Sequence, residues 1–411
     1  MGPCHPLRSP ALQESSRMSL DERRPPGPAG PSDAAQASPH VQYRHRLPSL
    51  TGLRFPAALL VFWFHAALPV PWIRLFASES AEDAFHRLAS PAGGLGVTFF
   101  FVLSGFILTW TARDADPARA FWRRRLVKIY PSHAVLWGLA MLTFAAAVTD
   151  RGQALANLLL VHGWVPDFPT NFSVNPPSWS LGVEVFCYLA FPLLIAVCRR
   201  IKPGRLMPWI AGTVAVVLLT PWFTYAFVPG GGPMVPDEDA SMVQYWFAYV
   251  LPPVRVFDFL LGILLALAVR AGRWSGPGAV WSGLLLAASY PLALRVPFLY
   301  EQRAVFLIPV ACLIAAVARA DARRGFTPFR NRFTVWLGKI SFGFYLVHYP
   351  VLAVSRYLLG DRLFPVPEAV GLLLGQLVVS VLLAWALYAA VERPAVRRWA
   401  RSRSGPRAAP A

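Results

Sequence analysis

Charge is scarce in this 411-residue chain: Asp, Glu, Lys and Arg together make 15% of it, against 55% hydrophobic residues. A water-soluble domain carries roughly 25% charged residues, so a soluble globular protein of this length is excluded. Acid is scarcer still, with 21 Asp and Glu against 39 Lys and Arg and a formal net charge of +18. Such an excess would suit nucleic acid, but the basic residues sit at the ends of apolar runs, which is a membrane-topology pattern. Cysteine is also sparse. Cys4, Cys187, Cys198 and Cys312 show no metal-ligand spacing, and three of them fall in apolar runs where a thiol behaves as a small hydrophobe. Neither a disulfide framework nor a metal site is implied. Residues 1–46 contain no apolar run and are rich in Pro, Ser and Arg, so they read as a disordered cytosolic tail.

What the chain does contain is a succession of predominantly apolar runs of about 20 residues, the length a helix needs to cross a bilayer. They lie near 50–70, 94–112, 131–149, 179–198, 207–228, 245–269, 279–296, 305–319, 334–357 and 367–391. The expected fold is therefore all-α, a polytopic membrane bundle of about ten helices occupying 47–394, followed by a basic cytosolic tail, 395–411. A further stretch, 155–164, is too short to span and reads as a surface or re-entrant piece. With both termini cytosolic, the inner segments hold about 29 of the 39 Lys and Arg and the outer ones about 7. That asymmetry fits the positive-inside rule and puts the acidic loop VPGGGPMVPDEDA outside; the expected location is the plasma membrane.

Ionisable groups at membrane depth cost about 3 kcal/mol or more and usually face a cavity or a partner. The run LPSLTGLRFPAALLVFWFHAALPV holds two, Arg54 and His65. Eleven steps of about 100° leave them roughly 20° apart in azimuth and about 16 Å apart along the axis, on one stripe of one helix. The alternative for His65 is a structural hydrogen bond to a neighbouring helix. In NPPSWSLGVEVF, Glu184 falls about five residues, or 7–8 Å, below the outer end of its span, a depth similar to that of His65. A carboxylate there would fix the imidazole tautomer and raise its basicity. A capping box is the structural alternative, but the position three after Ser180 is Val183. Arg123, Arg124, Arg125 and Lys128 precede the third span; any cytosolic loop collects such residues, and three guanidinium groups also make an anion site for phosphates.

Weaker features accompany these. Arg255 and Asp258, three apart, can pair within the bundle. GGLGVTFFFVLSGF lacks the Lys of a nucleotide loop, so its glycines serve close helix packing, and Ser104 in it can line a cavity. SFGFYLVHYPVL puts Tyr345 and His348 in a span, as a second polar wall of the pocket or as interfacial groups. Asn171-Phe-Ser173 has the form of a glycosylation acceptor.

Six pieces in order, LTGLRFPAALLVFWFHA, GVTFFFVLSGFIL, RRRLVKIYP, SWSLGVEVFCYLAFPLL, VRVFDFLLGILLA and ISFGFYLVHYPVL, together resemble the acyltransferase-3 family of multi-pass membrane acyltransferases. The opening LPSLTGLRF is similar to actinobacterial members that acylate macrolide antibiotics. The resemblance implies an enzyme that moves an acetyl or short acyl group from acyl-coenzyme A to a hydroxyl of a carbohydrate, surface glycan, lipid-linked sugar or secondary metabolite such as a macrolide. It implies His65 and Glu184 as catalytic residues, with Arg54, Arg123, Arg124 and Arg125 holding the donor. Acyl-coenzyme A would be a co-substrate, with no tightly bound cofactor. Its extended arm is on the scale of the about 16 Å rise from Arg54 to His65. Two rivals remain open: a transporter or flippase of an acylated or anionic small molecule, for which ten helices and intramembrane Arg–Asp pairing also suit, and a non-catalytic assembly factor. No inverted repeat is visible, and the sequence assigns neither acceptor nor oligomeric state.

Overall fold

The computed structural model describes residues 47–113, 116–236 and 238–400; the proposed N-terminal tail and residues 401–411 lie outside them. Among the described residues the regular structure is all helical, with no strand beyond two isolated bridges, Phe76 to Phe364 and Met234 to Ser241. A short α1 (Pro48–Gly52) leads through Leu53 into α2 (Arg54–Ala66). The long α3 (Glu79–Thr111) starts on the side chain of Ser78, which accepts from the Ala81 N–H. It is followed by α4 (Ala118–Thr143), α5 (Arg151–Leu158), α6 (Phe168–Asn171) and α7 (Trp179–Cys198).

Beyond them come α8 (Leu206–Phe227), α9 (Met242–Tyr245), α10 (Pro252–Arg270), α11 (Ala279–Ala293) and α12 (Val305–Ala322). The set closes with α13 (Arg332–Leu359), capped by Asn331, then α14 (Val366–Leu387) and α15 (Arg393–Trp399). Helix α15 continues α14 through a wide turn at Tyr388–Glu392, so the first residues of the basic tail are helical.

Seven of the helical stretches described are long and apolar enough to cross a membrane. The other three expected spans take different forms. Helix α2 is short because the first apolar run is broken at Leu53, α4 is long but carries the arginine run within its own first turns, and α11 has only 15 residues.

Close packing of the bundle follows from glycine. Helix α3 lies chiefly against α10 and α2, and the approach is backbone to backbone. A Cβ on Gly105 would strike the carbonyl of Phe259, and one on Gly262 that of Val102. Gly96 does the same for α2, sitting on the Ala57 carbonyl and the Val61 side chain. Without hydrophobic drive between helices in lipid, such small-residue contacts supply much of the association. The opposite case is the outward side of α8 and α14, where Leu219, Trp222, Leu374, Val378 and Leu382 are exposed, as lipid-facing residues should be.

The expected Arg255–Asp258 pair forms, 3.3 Å apart, and Arg303 joins it from the turn before α12 with its Nε 3.1 Å from Asp258. Phe101 and Tyr249 lie over the Arg255 guanidinium at 4.9 and 4.8 Å. Breaking such a buried group by deleting one partner is costly, because a charge is left uncompensated.

Residues between α4 and α7 pack onto the bundle with one side buried, while Leu155, Leu159, Val161 and Trp164 stay exposed. Asn157 donates to the Ser173 carbonyl and the Ser178 hydroxyl, His133 bonds the Asn157 carbonyl, and Asn175 donates to the Leu346 carbonyl of α13. This buries the glycosylation-type site. Asn171 is 1% exposed, so no glycan can be attached to it in the folded chain.

Candidate active site

Arg54 and His65 both lie on α2, as the eleven-residue spacing requires, near its opposite ends. His65 is 8% exposed and His348 of α13 is fully buried beside it. His348 Nδ1 lies 3.1 Å from the Phe344 carbonyl, and its Nε2 lies 3.1 Å from His65 Nδ1. His65 Nδ1 is also 2.9 Å from the Val61 carbonyl. A carbonyl only accepts, so His348 carries its hydrogen on Nδ1 and presents a lone pair at Nε2. His65 must then donate from Nδ1, shared between Val61 and His348. The lone pair of His65 is thereby left on Nε2, which has no hydrogen-bond partner among the described residues. Phe64 and Tyr349 meet the His65 ring edge-on, at 5.0 and 5.5 Å. Phe344 stacks on His348 at 6.0 Å.

Glu184 is not part of this pair. Its carboxylate accepts from the Tyr188 hydroxyl and, at 3.4 Å, from the Ser104 hydroxyl. The expected imidazole–carboxylate bond does not form because α7 begins deeper than its sequence suggests. Asn175 and Pro177 are already bonded to α13, at Leu346 and Tyr345, and Ser180 lies 2.7 Å from the Tyr345 hydroxyl. Glu184 is one turn beyond Ser180, whereas His348 is three residues beyond Tyr345 in the opposite direction. The two side chains therefore differ in depth by about 10 Å.

What Glu184 does line is a cavity of about 120 Å³, shared with Arg54, Ser104, Arg125, Lys128, Tyr188 and Tyr345. Three cations and one carboxylate converge there from α2, α4 and α7, with Ser104 of α3 and Tyr345 of α13 beside them. Phe100 and Tyr345, ring centres 5.8 Å apart, line it, and the Tyr345 ring lies 5.9 Å from that of His348, the partner of His65. A larger cavity of about 710 Å³ opens at the basic end, with Arg113, Asp116, Arg124, Arg125 and Arg199 in its wall. The two cavities have Leu108 and Arg125 in common. Arg125 is thus the hinge point between a basic vestibule and a deep polar chamber.

The three consecutive arginines do not form a single clamp. They sit on α4 itself, where successive side chains point about 100° apart. Arg125 turns inward, over the Phe121 and Tyr188 rings at 5.4 and 5.9 Å, with its Nε buried and unpartnered. Arg124 pairs with Asp116 in the vestibule. Arg123 is exposed and lines neither cavity. Lys128, one turn after Arg124, enters the deep cavity with Arg54. No group of three or more His, Cys, Asp or Glu side chains suited to a metal occurs among the described residues.

Residues 47–388 match the family described as the acyltransferase domain, Acyl_transf_3. The chain belongs to the acyltransferase-3 family. It is 39% identical over 370 residues to Acyltransferase MdmB of Streptomyces mycarofaciens, a match that covers 87% of this chain and 94% of that protein. It is 27% identical over 355 residues to the putative peptidoglycan O-acetyltransferase YrhL of Bacillus subtilis, and 26% over 345 to the peptidoglycan O-acetyltransferase OatA of Listeria monocytogenes. The chain spans about half the length of each of these last two. No solved structure matches it. The acyltransferase-3 assignment makes the chain a membrane acyltransferase of the branch that includes the Streptomyces protein. The transporter reading finds no support among these relatives.

Two residues make contacts here that the sequence did not assign to them. His348 was visible as a polar residue in a span, and its position three after Tyr345 puts both near one face, but nothing in the spacing says which helix adjoins it. Tyr188, four after Glu184 on α7, is at the spacing that lets its hydroxyl reach the carboxylate, and that signal was readable.

Proposed function

We propose that this acyltransferase moves an acetyl or short acyl group from acyl-coenzyme A to a hydroxyl of a small acceptor, of the secondary-metabolite or macrolide type. The preference for that acceptor over a wall polymer rests on the nearly full-length match to the Streptomyces acyltransferase, against half-length matches to the peptidoglycan enzymes. The observation that carries the reading is the course of α2. It runs from Arg54 in the wall of the polar cavity to His65, about 16 Å farther along. The donor's phosphates would sit among Arg113, Arg124 and Arg125 in the vestibule, where guanidinium groups meet them bidentately. Arg54 and Lys128 would hold polar groups of the arm, and the thioester would pass between Phe100 and Tyr345 toward His65. Those two rings must rotate apart for it to do so.

His65 then serves as general base. The acceptor O–H proton goes to Nε2, the oxygen attacks the thioester carbonyl, and the C–S bond breaks. The departing thiolate takes the proton back from the imidazolium, so the base is regenerated. Glu184, in the cavity rather than beside the imidazole, balances the cations that hold the donor. The basic end faces the cytosol of a plasma-membrane protein in this reading, as the loop charges suggest.

The test is transfer of label from radiolabelled acetyl-coenzyme A to an extractable product by membranes carrying the protein. His65→Ala should abolish labelling while leaving the protein in the membrane. Full labelling by that variant would overturn the assignment. Product mass spectrometry then identifies the acceptor.

A further inference from the structure

We infer that His348 is the positioning residue of the reaction, holding His65 in the tautomer and orientation that leave its Nε2 free to take a proton. This deepens the reading of His65 as general base and rests on it. Three observations combine. First, His348 has one fixed hydrogen, on Nδ1, because that atom faces the Phe344 carbonyl at 3.1 Å. Its other nitrogen is therefore an acceptor, and it lies 3.1 Å from His65 Nδ1. Second, the donor it receives from is the one His65 already directs at Val61, 2.9 Å away, so the N–H is held from two sides. Third, His348 is fully buried among Phe62, Phe344, Tyr345 and His65, with no access to the cavity lined by Glu184.

A buried imidazole costs free energy unless its nitrogens are bonded, and both nitrogens of His348 are. The arrangement repeats the logic of a base oriented by a third group, with a neutral imidazole where a carboxylate often stands. When His65 takes the acceptor's proton it becomes a cation with two N–H groups. The Nδ1–H bond to His348 and Val61 then becomes charge-assisted and shortens. His348 keeps its own proton throughout, since its Nδ1–H remains on the Phe344 carbonyl, so no relay of protons is required. It touches no substrate in this geometry and acts only through His65.

The proposal is tested with two substitutions and a chemical probe in the full-length protein. His348→Leu removes the acceptor and should lower kcat by roughly 10²-fold, at the low end of what a positioned base contributes, with donor KM unchanged. His348→Gln keeps an oxygen able to accept from His65 Nδ1–H and should recover activity to within about tenfold of the parent. Wild-type kcat in His348→Leu, or equal loss in the Leu and Gln variants, would overturn the role. Diethyl pyrocarbonate footprinting of the unaltered protein needs no folded variant. Carbethoxylation should fall on His65 and spare His348, and faster modification of His348 would overturn the assignment of its nitrogens. Failure of the underlying reading looks different, because His65→Ala would then remain active. An inactive His65→Ala beside a fully active His348→Leu sinks the inference alone.

Discussion

Arg125 illustrates what a single side chain can contribute when its helix places it between two cavities. Its neighbours Arg123 and Arg124 have the same chemistry, yet only Arg125 reaches both the vestibule and the deep chamber. A charge-assisted bond to phosphate is worth about 1.5–3 kcal/mol. Arg125→Ala should therefore raise donor KM roughly tenfold or more at nearly constant kcat, and Arg123→Ala much less, in steady-state assays with acetyl-coenzyme A. Glu184 gives a complementary case. As an orienter of His65 it would govern kcat, and as counter-charge to Arg54, Arg125 and Lys128 it would govern donor affinity. Its bonds to Tyr188 and Ser104 favour the second role. Glu184→Gln keeps an acceptor for those hydroxyls and removes one negative charge, so donor KM should fall several-fold while kcat changes less. A selective loss of kcat would return Glu184 to the imidazole. The Arg54–His65 stripe was legible because both residues lie on one continuous helix, where rise and twist are fixed. The depth of Glu184 was not, since it depends on where α7 starts relative to α13.

At the scale of elements, glycine decides how near the helices come. Gly105 and Gly262 face each other's helices across the α3–α10 contact, each against a backbone carbonyl. Adding a side chain there forces the helices apart, and overpacking of this kind typically costs about 1–3 kcal/mol. Gly105→Val should lower the thermal unfolding midpoint of the detergent-purified protein, whereas Gly212→Val on α8, where no atom lies within 4 Å of an added Cβ, should change it little. The glycine-rich run could be recognised as a packing face rather than a phosphate loop because it lacks the Lys such loops need. The helix-breaking at Leu53 was not foreseen, nor was the arginine run lying within α4. Both turn on tertiary contacts: α1 packs against α13, and the buried side chains of α4 have neighbours in α7 and α13.

For the whole molecule, the proposed orientation makes a prediction that needs no substrate. Cys187, Cys198 and Cys312 are buried, so a background with Cys4→Ser leaves no described thiol exposed. Arg200→Cys, at the basic end after α7, should react with a membrane-impermeant maleimide only in inverted vesicles. Ser80→Cys, at the start of α3, should react in intact cells. The reverse pattern would invert the proposed topology and place the vestibule outside. The count of about ten spans came from run length, whereas seven helices meet both length and composition criteria. The discrepancy lies in the first, third and seventh expected spans, where a break, a basic first half or a short helix keeps the segment from meeting those criteria.

Helicity, membrane residence, the Arg54–His65 register and the family were all determined by the sequence alone. Each depends on local periodicity, on composition along one continuous segment, or on motifs read in order. Which imidazole faces His65, which carbonyls fix its tautomer, and which of three adjacent arginines enters the cavity were decided only by the tertiary structure. Those contacts join residues up to 283 positions apart in the chain, and the packing of α2, α7 and α13 sets their relative depth. A helix dictates its own geometry through its backbone hydrogen bonds, but its depth beside a neighbour is set by the side chains that meet between them.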